Sequence, residues 1–182
     1  MAAEAARRAL ENAGVSAGEI QLIIVATCTG DLQFPGTACV VQKEIQADGA
    51  VAFDLGAACS GFLFALNTAH AYIQTGVYQK ALVIGTEVLS KLVDWKDRST
   101  CVLFGDGAGA AVVEASEEGL QWFVQYSDGK KGEVLSCISR PVENLIHRKE
   151  EGTDYRTPVS DYLTMNGQEV FRFAVKKVPE CI

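Results

Sequence analysis

Between Ala2 and Gly85 the apolar positions switch back and forth between a helical period and short runs, and each switch predicts an element. Ala2 to Ala13 is alanine-rich and stops at Gly14, the pattern of a helix with glycine just past its last turn. Leu22 to Thr27 is continuously apolar, as expected of a strand buried on both faces. Asp31 to Gly36 reads as a loop, with Thr37 as the cap of a helix running to Gln46. Val51, Phe53 and Leu55 alternate as in a strand. A helix is then expected from Cys59 to Thr75, because Phe62, Leu63, Leu66, Ala69 and Ile73 recur at helical spacing until Gly76. Ala81 to Gly85 is a second fully apolar strand. Such alternation predicts a layered α/β domain with parallel strands.

The remaining chain is less regular. Glu87 to Thr100 is polar apart from Leu89, Leu92, Val93 and Trp95, and is expected to run over the surface near a cleft. Gly105, Gly107 and Gly109 separate two apolar segments within Cys101 to Val113; their spacing fits no phosphate-binding motif and predicts a close-packed turn joining two strands. Gly119 to Tyr126 reads as a strand, Ser127 to Gly129 as a turn, and Arg140 to Asp161 as a long loop. After Asn166 and Gly167, the residues Val170, Phe171, Ala174, Val175 and Val178 predict a helix broken by Pro179. With no stop signal after it, the chain is expected to end before its domain does.

Composition narrows the class. At 182 residues, 48% hydrophobic and 21% charged, the chain is globular rather than fibrous or disordered. No apolar run reaches the roughly 20 residues of a membrane span, and residues 1–10 lack a signal-peptide core, so a soluble intracellular protein without a membrane partner is expected. Net charge of −7 argues against nucleic acid. The cysteines at 28, 39, 59, 101, 137 and 181 form no Cys-x-x-Cys pair, which makes metal and thioredoxin-like chemistry unattractive and reduced thiols the default.

Cys59 is the candidate for chemistry. It sits where a strand passes into a helix, and a thiol there faces unpaired backbone N–H groups that favour thiolate and could stabilise an oxyanion. A small buried apolar cysteine is the competing reading. A catalytic cysteine also wants a base. His70 follows eleven residues later on the same predicted helix, roughly 16 Å along the axis at 1.5 Å per residue, and cannot serve. Nothing local orients His147.

Several segments taken together resemble one family. Asp54-Leu-Gly-Ala-Ala-Cys-Ser-Gly-Phe62, Val93-Asp-Trp-Lys-Asp-Arg98, Phe104-Gly-Asp-Gly-Ala-Gly109 and Met165-Asn-Gly-Gln-Glu-Val-Phe-Arg172 are similar to β-ketoacyl-acyl-carrier-protein synthase III, the priming condensing enzyme of type II fatty-acid synthesis in the thiolase superfamily. The Asp-Trp-Lys-Asp-Arg wording resembles cyanobacterial and plastid members. The resemblance implies a thiolase-like α-β-α-β-α fold, here incomplete: 1–118 as a first half lacking its first strand, and 119–182 as the beginning of the second.

By that resemblance Cys59 is the nucleophile that takes an acyl group, acetyl above all, from acyl-CoA, with its backbone N–H as an oxyanion donor. The enolate from malonyl-acyl-carrier protein then attacks the acyl-cysteine. The family's His and Asn lie beyond Ile182, so condensation by the chain as it stands is expected to be absent or weak. Arg98 matches the contact to the CoA adenine. Phe34, Leu89, Phe104 and Leu163 match the primer pocket, Phe34 being the residue lent across a homodimer interface, and Arg172 matches a basic position at the tunnel mouth where the carrier protein docks. No cofactor and no metal are implied, since the CoA thioester is a substrate, and the location implied is the cytoplasm, or the plastid stroma in a plant or alga. A non-catalytic fragment or pseudoenzyme that dimerises or binds acyl-CoA is the reading from another class. Synthases making polyketide starters or hydroxymethylglutaryl-CoA are the alternatives within the superfamily.

Overall fold

The computed structural model describes residues 1–119, 123–137 and 162–181. The loop expected from Arg140 to Asp161, with His147 on it, lies outside the described residues. The chain forms two compact units, one of residues 1–88 with 106–125 and the other of residues 89–105 with 126–182.

The first unit is a four-stranded sheet with helices on both faces. In chain order it contains α1 (Ala2–Ala13), β1 (Leu22–Ala26), α2 (Thr37–Ile45), β2 (Val51–Leu55), α3 (Gly61–Gln74), β3 (Lys80–Val88) and β4 (Asp106–Glu114). The strand order is β2-β1-β3-β4. β1 pairs in parallel with β2 and β3, from Leu22 opposite Val51 and Ala81 to Ala26 opposite Leu55 and Gly85. β4 departs from the expected all-parallel sheet, running antiparallel to β3 with Lys80 opposite Glu114 and Val88 opposite Asp106.

The two-residue side-chain period of a strand divides the core. Ile23, Val25, Leu82 and Ile84 pack beneath α1 and α2, whereas Leu22, Ile24, Ala26, Ala81 and Val83 pack beneath α3. Every residue of β1 is buried, which explains its unbroken apolar run. Full burial of each branched side chain contributes about 1.5–3 kcal/mol. The helices meet the sheet through alanines, Ala2, Ala6 and Ala9 on α1 and Ala65 and Ala69 on α3, so their backbones approach it closely. Gly14 ends α1 in the left-handed region, at φ 64°, returning its N–H to Glu11 O and Leu10 O.

Several boundaries differ from expectation. Gly36, not Thr37, is the cap residue of α2; Thr37 is its first helical residue. A 3₁₀ turn, Ala58–Ser60, intervenes before α3, so Cys59 precedes the helix proper. β3 continues to Val88, so Glu87 belongs to a strand rather than to a surface run. Gly107 and Gly109 lie inside β4 and do not form a turn between strands, while Cys101 to Phe104 form no strand. The expected strand from Gly119 to Tyr126 is not formed over Phe123–Tyr126, and its residues 120–122 lie outside the described residues.

In the second unit a 3₁₀ segment, Gly129–Val134, leads into β5 (Leu135–Ser136), which pairs antiparallel with β6 (Thr164–Met165) before α4 (Gly167–Lys177). Asn166 caps α4, its side chain accepting from Glu169 N–H at 3.3 Å. Val93 and Thr100 are buried here, so the polar stretch that carries them is anchored from within.

Candidate functional site

In the first unit the parallel strands all end at one edge of the sheet, the side on which open α/β sheets bind ligands. β2 delivers the chain there through Gly56 and Ala57 to Cys59. Ala58 adopts φ 44°, a left-handed conformation that L-residues other than glycine rarely take. It reverses the chain sharply before α3, and the Gly61 N–H closes the turn onto Ala58 O. Cys59 is exposed at this bend. The strand-to-helix turn leaves Cys59 outside the buried cluster that holds Leu22, Ile24 and Ala26.

Glu87, near the end of β3, accepts from Cys28 N–H at 2.8 Å and from the Thr29 hydroxyl. Asp54 of β2 accepts from the N–H groups of Thr37 and Ala38, each at 2.6 Å. Because Gly36 has no side chain to cap α2, Asp54 satisfies those first-turn donors from the neighbouring strand. A Cβ at Gly36 would lie 3.1 Å from Asp54 Oδ2, so any side chain there would press on the carboxylate and make it give by a few tenths of an ångström. Phe34 stands on the intervening loop and is 86% exposed. His70 lies beside Phe123, the rings tilted at 58° with centroids 5.2 Å apart.

The second unit carries the other candidates. Leu89 lies in a 3₁₀ turn, Leu89–Lys91, and is half-buried, as is Phe104. Leu163 is buried and donates its N–H to Leu92 O at 2.8 Å. Arg98 is exposed on a loop ordered by Asp97, whose carboxylate accepts from the Ser99 hydroxyl (2.6 Å), the Ser99 N–H (2.9 Å) and the Thr100 hydroxyl (2.9 Å). These donors hold the Asp97 carboxyl below its usual range, the Ser99 hydroxyl contributing most. Arg172 is exposed on α4 and donates to Glu169 at 2.6 Å, so its guanidinium is already engaged by its own helix. Among the described residues, no cluster of three or more His, Cys, Asp or Glu side chains could hold a metal, and no helix is long and apolar enough to cross a membrane.

Asp54, Ala58, Glu87 and Asp97 escaped the sequence reading. The signal available was an acidic residue in, or at the end of, an otherwise apolar strand, which marks Asp54 and Glu87. For Ala58 there was none, because alanine does not advertise a left-handed backbone.

The family model for 3-oxoacyl-[acyl-carrier-protein] synthase III matches residues 53–132, the stretch that runs from β2 through Cys59 and Arg98 to the end of β4 and beyond. A β-ketoacyl-[acyl-carrier-protein] synthase III of Clostridium botulinum (strain 657 / Type Ba4) is 48% identical over 183 residues, covering 100% of this chain and 55% of the relative. Over its whole length this chain is similar to the synthase III family. A second relative with the same description, from Synechococcus sp. (strain WH7803), is 52% identical over 180 residues, 98% of this chain and 52% of the relative. The crystal structure of the synthase III from Aquifex aeolicus VF5 superposes with a TM-score of 0.84 at 43% identity, covering 99% of this chain and 53% of that one. The thiolase-like fold expected from the motifs is thus the observed one. The chain spans about half the length of the curated synthase III relatives it matches.

Proposed function

We propose that the chain carries the acyl-accepting part of a β-ketoacyl-acyl-carrier-protein synthase III. The Cys59 thiolate attacks the thioester carbonyl of an acyl-CoA, acetyl-CoA above all; the carbon–sulfur bond to CoA breaks, and CoA leaves as a thiolate that takes up a proton. Malonyl-acyl-carrier protein then loses CO₂, and the resulting carbanion attacks the acyl-cysteine, releasing β-ketoacyl-carrier protein and regenerating the thiolate. The observation that carries this reading is the exposed Cys59 on its sharp strand-to-helix bend, in a chain related over its whole length to synthases of this class.

The other assignments belong to the same proposal. Arg98 contacts the CoA adenine, a role suited to a planar, stacking cation. Phe34, Leu89, Phe104 and Leu163 shape the primer pocket, with Phe34 supplied across a homodimer, and Arg172 faces the acidic carrier protein. The organisation into a first half, 1–118, and the start of a second, 119–182, also belongs here, as do a cytoplasmic location, independence of any cofactor and the lack of nucleic-acid or membrane partners. The expected inactivity belongs here too: the 182 residues by themselves are expected to acylate Cys59 and to condense poorly or not at all, since the resemblance places the family's His and Asn beyond Ile182.

Intact-mass measurement after incubation with acetyl-CoA tests the reading. The expected product is a single acetyl adduct, labile to hydroxylamine and absent from Cys59→Ala. A chain that gains no adduct, or a Cys59→Ala variant that keeps it, overturns the assignment.

A further inference from the structure

The connection from β1 to α2, residues 27–36, is held at both ends by carboxylates from the strands flanking β1. Its start is fixed by Glu87 through Cys28 N–H and the Thr29 hydroxyl, and that hydroxyl in turn accepts from Val88 N–H at 2.8 Å. Its end is fixed by Asp54 through Thr37 and Ala38. The base is also closed sterically. A Cβ at Gly30 would come within 3.1 Å of Thr37 Oγ1, and one at Gly36 within 3.1 Å of Asp54 Oδ2. The tip is the reverse: Leu32 is 56% and Phe34 86% exposed, two apolar side chains turned to solvent on a pinned base.

Only carboxylates do this work well. Each offers two acceptor oxygens to two donors, and ionised acceptors make shorter, stronger bonds than neutral ones. At Asp54 an amide presents one oxygen and one NH₂, so one of the two backbone N–H donors would face another donor; at Glu87 it would leave Cys28 N–H an uncharged, weaker acceptor and turn the Thr29 hydroxyl from donor to acceptor. The loop would keep its sequence and lose its fixed seat.

We propose that Asp54 and Glu87 are positioning residues that fix where Phe34 is presented and, through Phe34, set which acyl-CoA primers are accepted. The inference rests on the reading of Phe34 as a primer-pocket residue of an acyl-CoA-dependent synthase. Small displacements matter in an apolar pocket, because discrimination between acyl chains depends on contacts of a few methylenes. Asp54 also stands on the strand that delivers Cys59, so one strand seats both the protomer's own nucleophile and the Phe34 that it lends to its partner's pocket.

The test compares initial rates of Cys59 acylation by acetyl-CoA and hexanoyl-CoA, read by intact mass, in the wild-type chain, Phe34→Ala, Asp54→Asn and the double variant. Phe34→Ala is expected to shift the acetyl-to-hexanoyl ratio by roughly tenfold, the scale of a few pocket contacts. Asp54→Asn is expected to shift it in the same direction by roughly threefold, and to add nothing once Phe34 is gone. Glu19→Gln, on the opposite edge of the sheet, is expected to leave the ratio unchanged while lowering stability. Glu87→Gln loosens the other end of the loop and gives the same reading if Asp54→Asn does not fold. An unchanged ratio in both carboxylate variants, or a shift of equal size with and without Phe34, overturns the proposal. A ratio that Phe34→Ala does not move overturns the pocket assignment and the proposal with it. A wild-type chain that no acyl-CoA modifies overturns the functional reading itself.

Discussion

Gly61 sits against Ala26: a Cβ built on Gly61 would lie 3.1 Å from the Ala26 Cβ, so the helix that follows Cys59 begins in contact with the end of β1. Neither partner has a flexible end that could move aside. Gly61→Ala gains about 1 kcal/mol of helix propensity but meets an overpacking cost of about 1–3 kcal/mol. We expect a net loss of about 1 kcal/mol for Gly61→Ala and about 3 kcal/mol for Gly61→Val, measured by urea unfolding, with Cys59 acylation slowing in step as α3 is pushed off the sheet.

Ala58 gives the opposite sign. A left-handed L-residue costs about 1–2 kcal/mol; glycine removes that strain but loses about 0.4–1 kcal/mol through the greater entropy of its unfolded chain. Ala58→Gly is therefore expected to stabilise by about 0.5–1 kcal/mol, and Ala58→Val to destabilise, since β-branched residues tolerate φ 44° least. Thermal unfolding of the two variants beside wild type checks both signs.

At the opposite edge of the sheet, Glu19 accepts from Lys80 Nζ at 2.8 Å and from the Ser16 N–H and hydroxyl at 2.9 and 2.8 Å. The Lys80 bond above all, then those from Ser16, lowers the Glu19 carboxyl from 4.5 to about 2. A group depressed in this way contributes its stability fully above its unfolded value and loses it as pH falls toward the folded one. Glu19→Gln is expected to be less stable than wild type at neutral pH, with the gap closing between pH 4.5 and about 2. High salt should narrow the same gap at neutral pH, because the pair is solvent-exposed. Denaturation midpoints across that range decide the matter; a gap independent of pH would mean that the Glu19 charge is irrelevant.

Asp97 orders the loop that displays Arg98. Asp97→Ala removes the acceptor of the Ser99 N–H and of both hydroxyls, including that of the buried Thr100. CoA affinity, measured by calorimetry, is expected to fall by roughly tenfold, with acylation at saturating acyl-CoA little changed. Because the Asp97 carboxyl is held low, the same weakening should emerge in wild type only as pH drops below the ordinary carboxylate value of 3.8.

How much of this was legible in advance follows from the range of the interactions. The alanine-rich stretch ended by Gly14 and the runs at 22–27 and 81–85 speak through nearest neighbours, and α1, β1 and β3 form close to where they were expected. The direction of β4 has no local signature; it depends on where residues 89–105 return the chain. Gly107 and Gly109 read as punctuation because glycine weakens strands, yet in β4 they lie opposite Glu87 and Gly85. Cys59 at a strand-to-helix junction was readable, whereas its pinned surroundings were not. Asp54 acts on residues 16 and 17 positions away and Glu87 on residues 58 and 59 away, separations at which pattern reading is silent.

The burial of β1 between β2 and β3 also sets a schedule for synthesis. β1 is the most continuously apolar strand, and its second neighbour, Ala81 to Gly85, is made about sixty residues later. At typical translation rates of about 5–20 residues per second, that leaves Leu22–Ala26 without its full complement of partners for roughly 3–12 s on the ribosome. A nascent chain in that interval offers an apolar, β-prone segment to any neighbour. The strand that makes the finished sheet secure is thus the one that waits for its partners during translation.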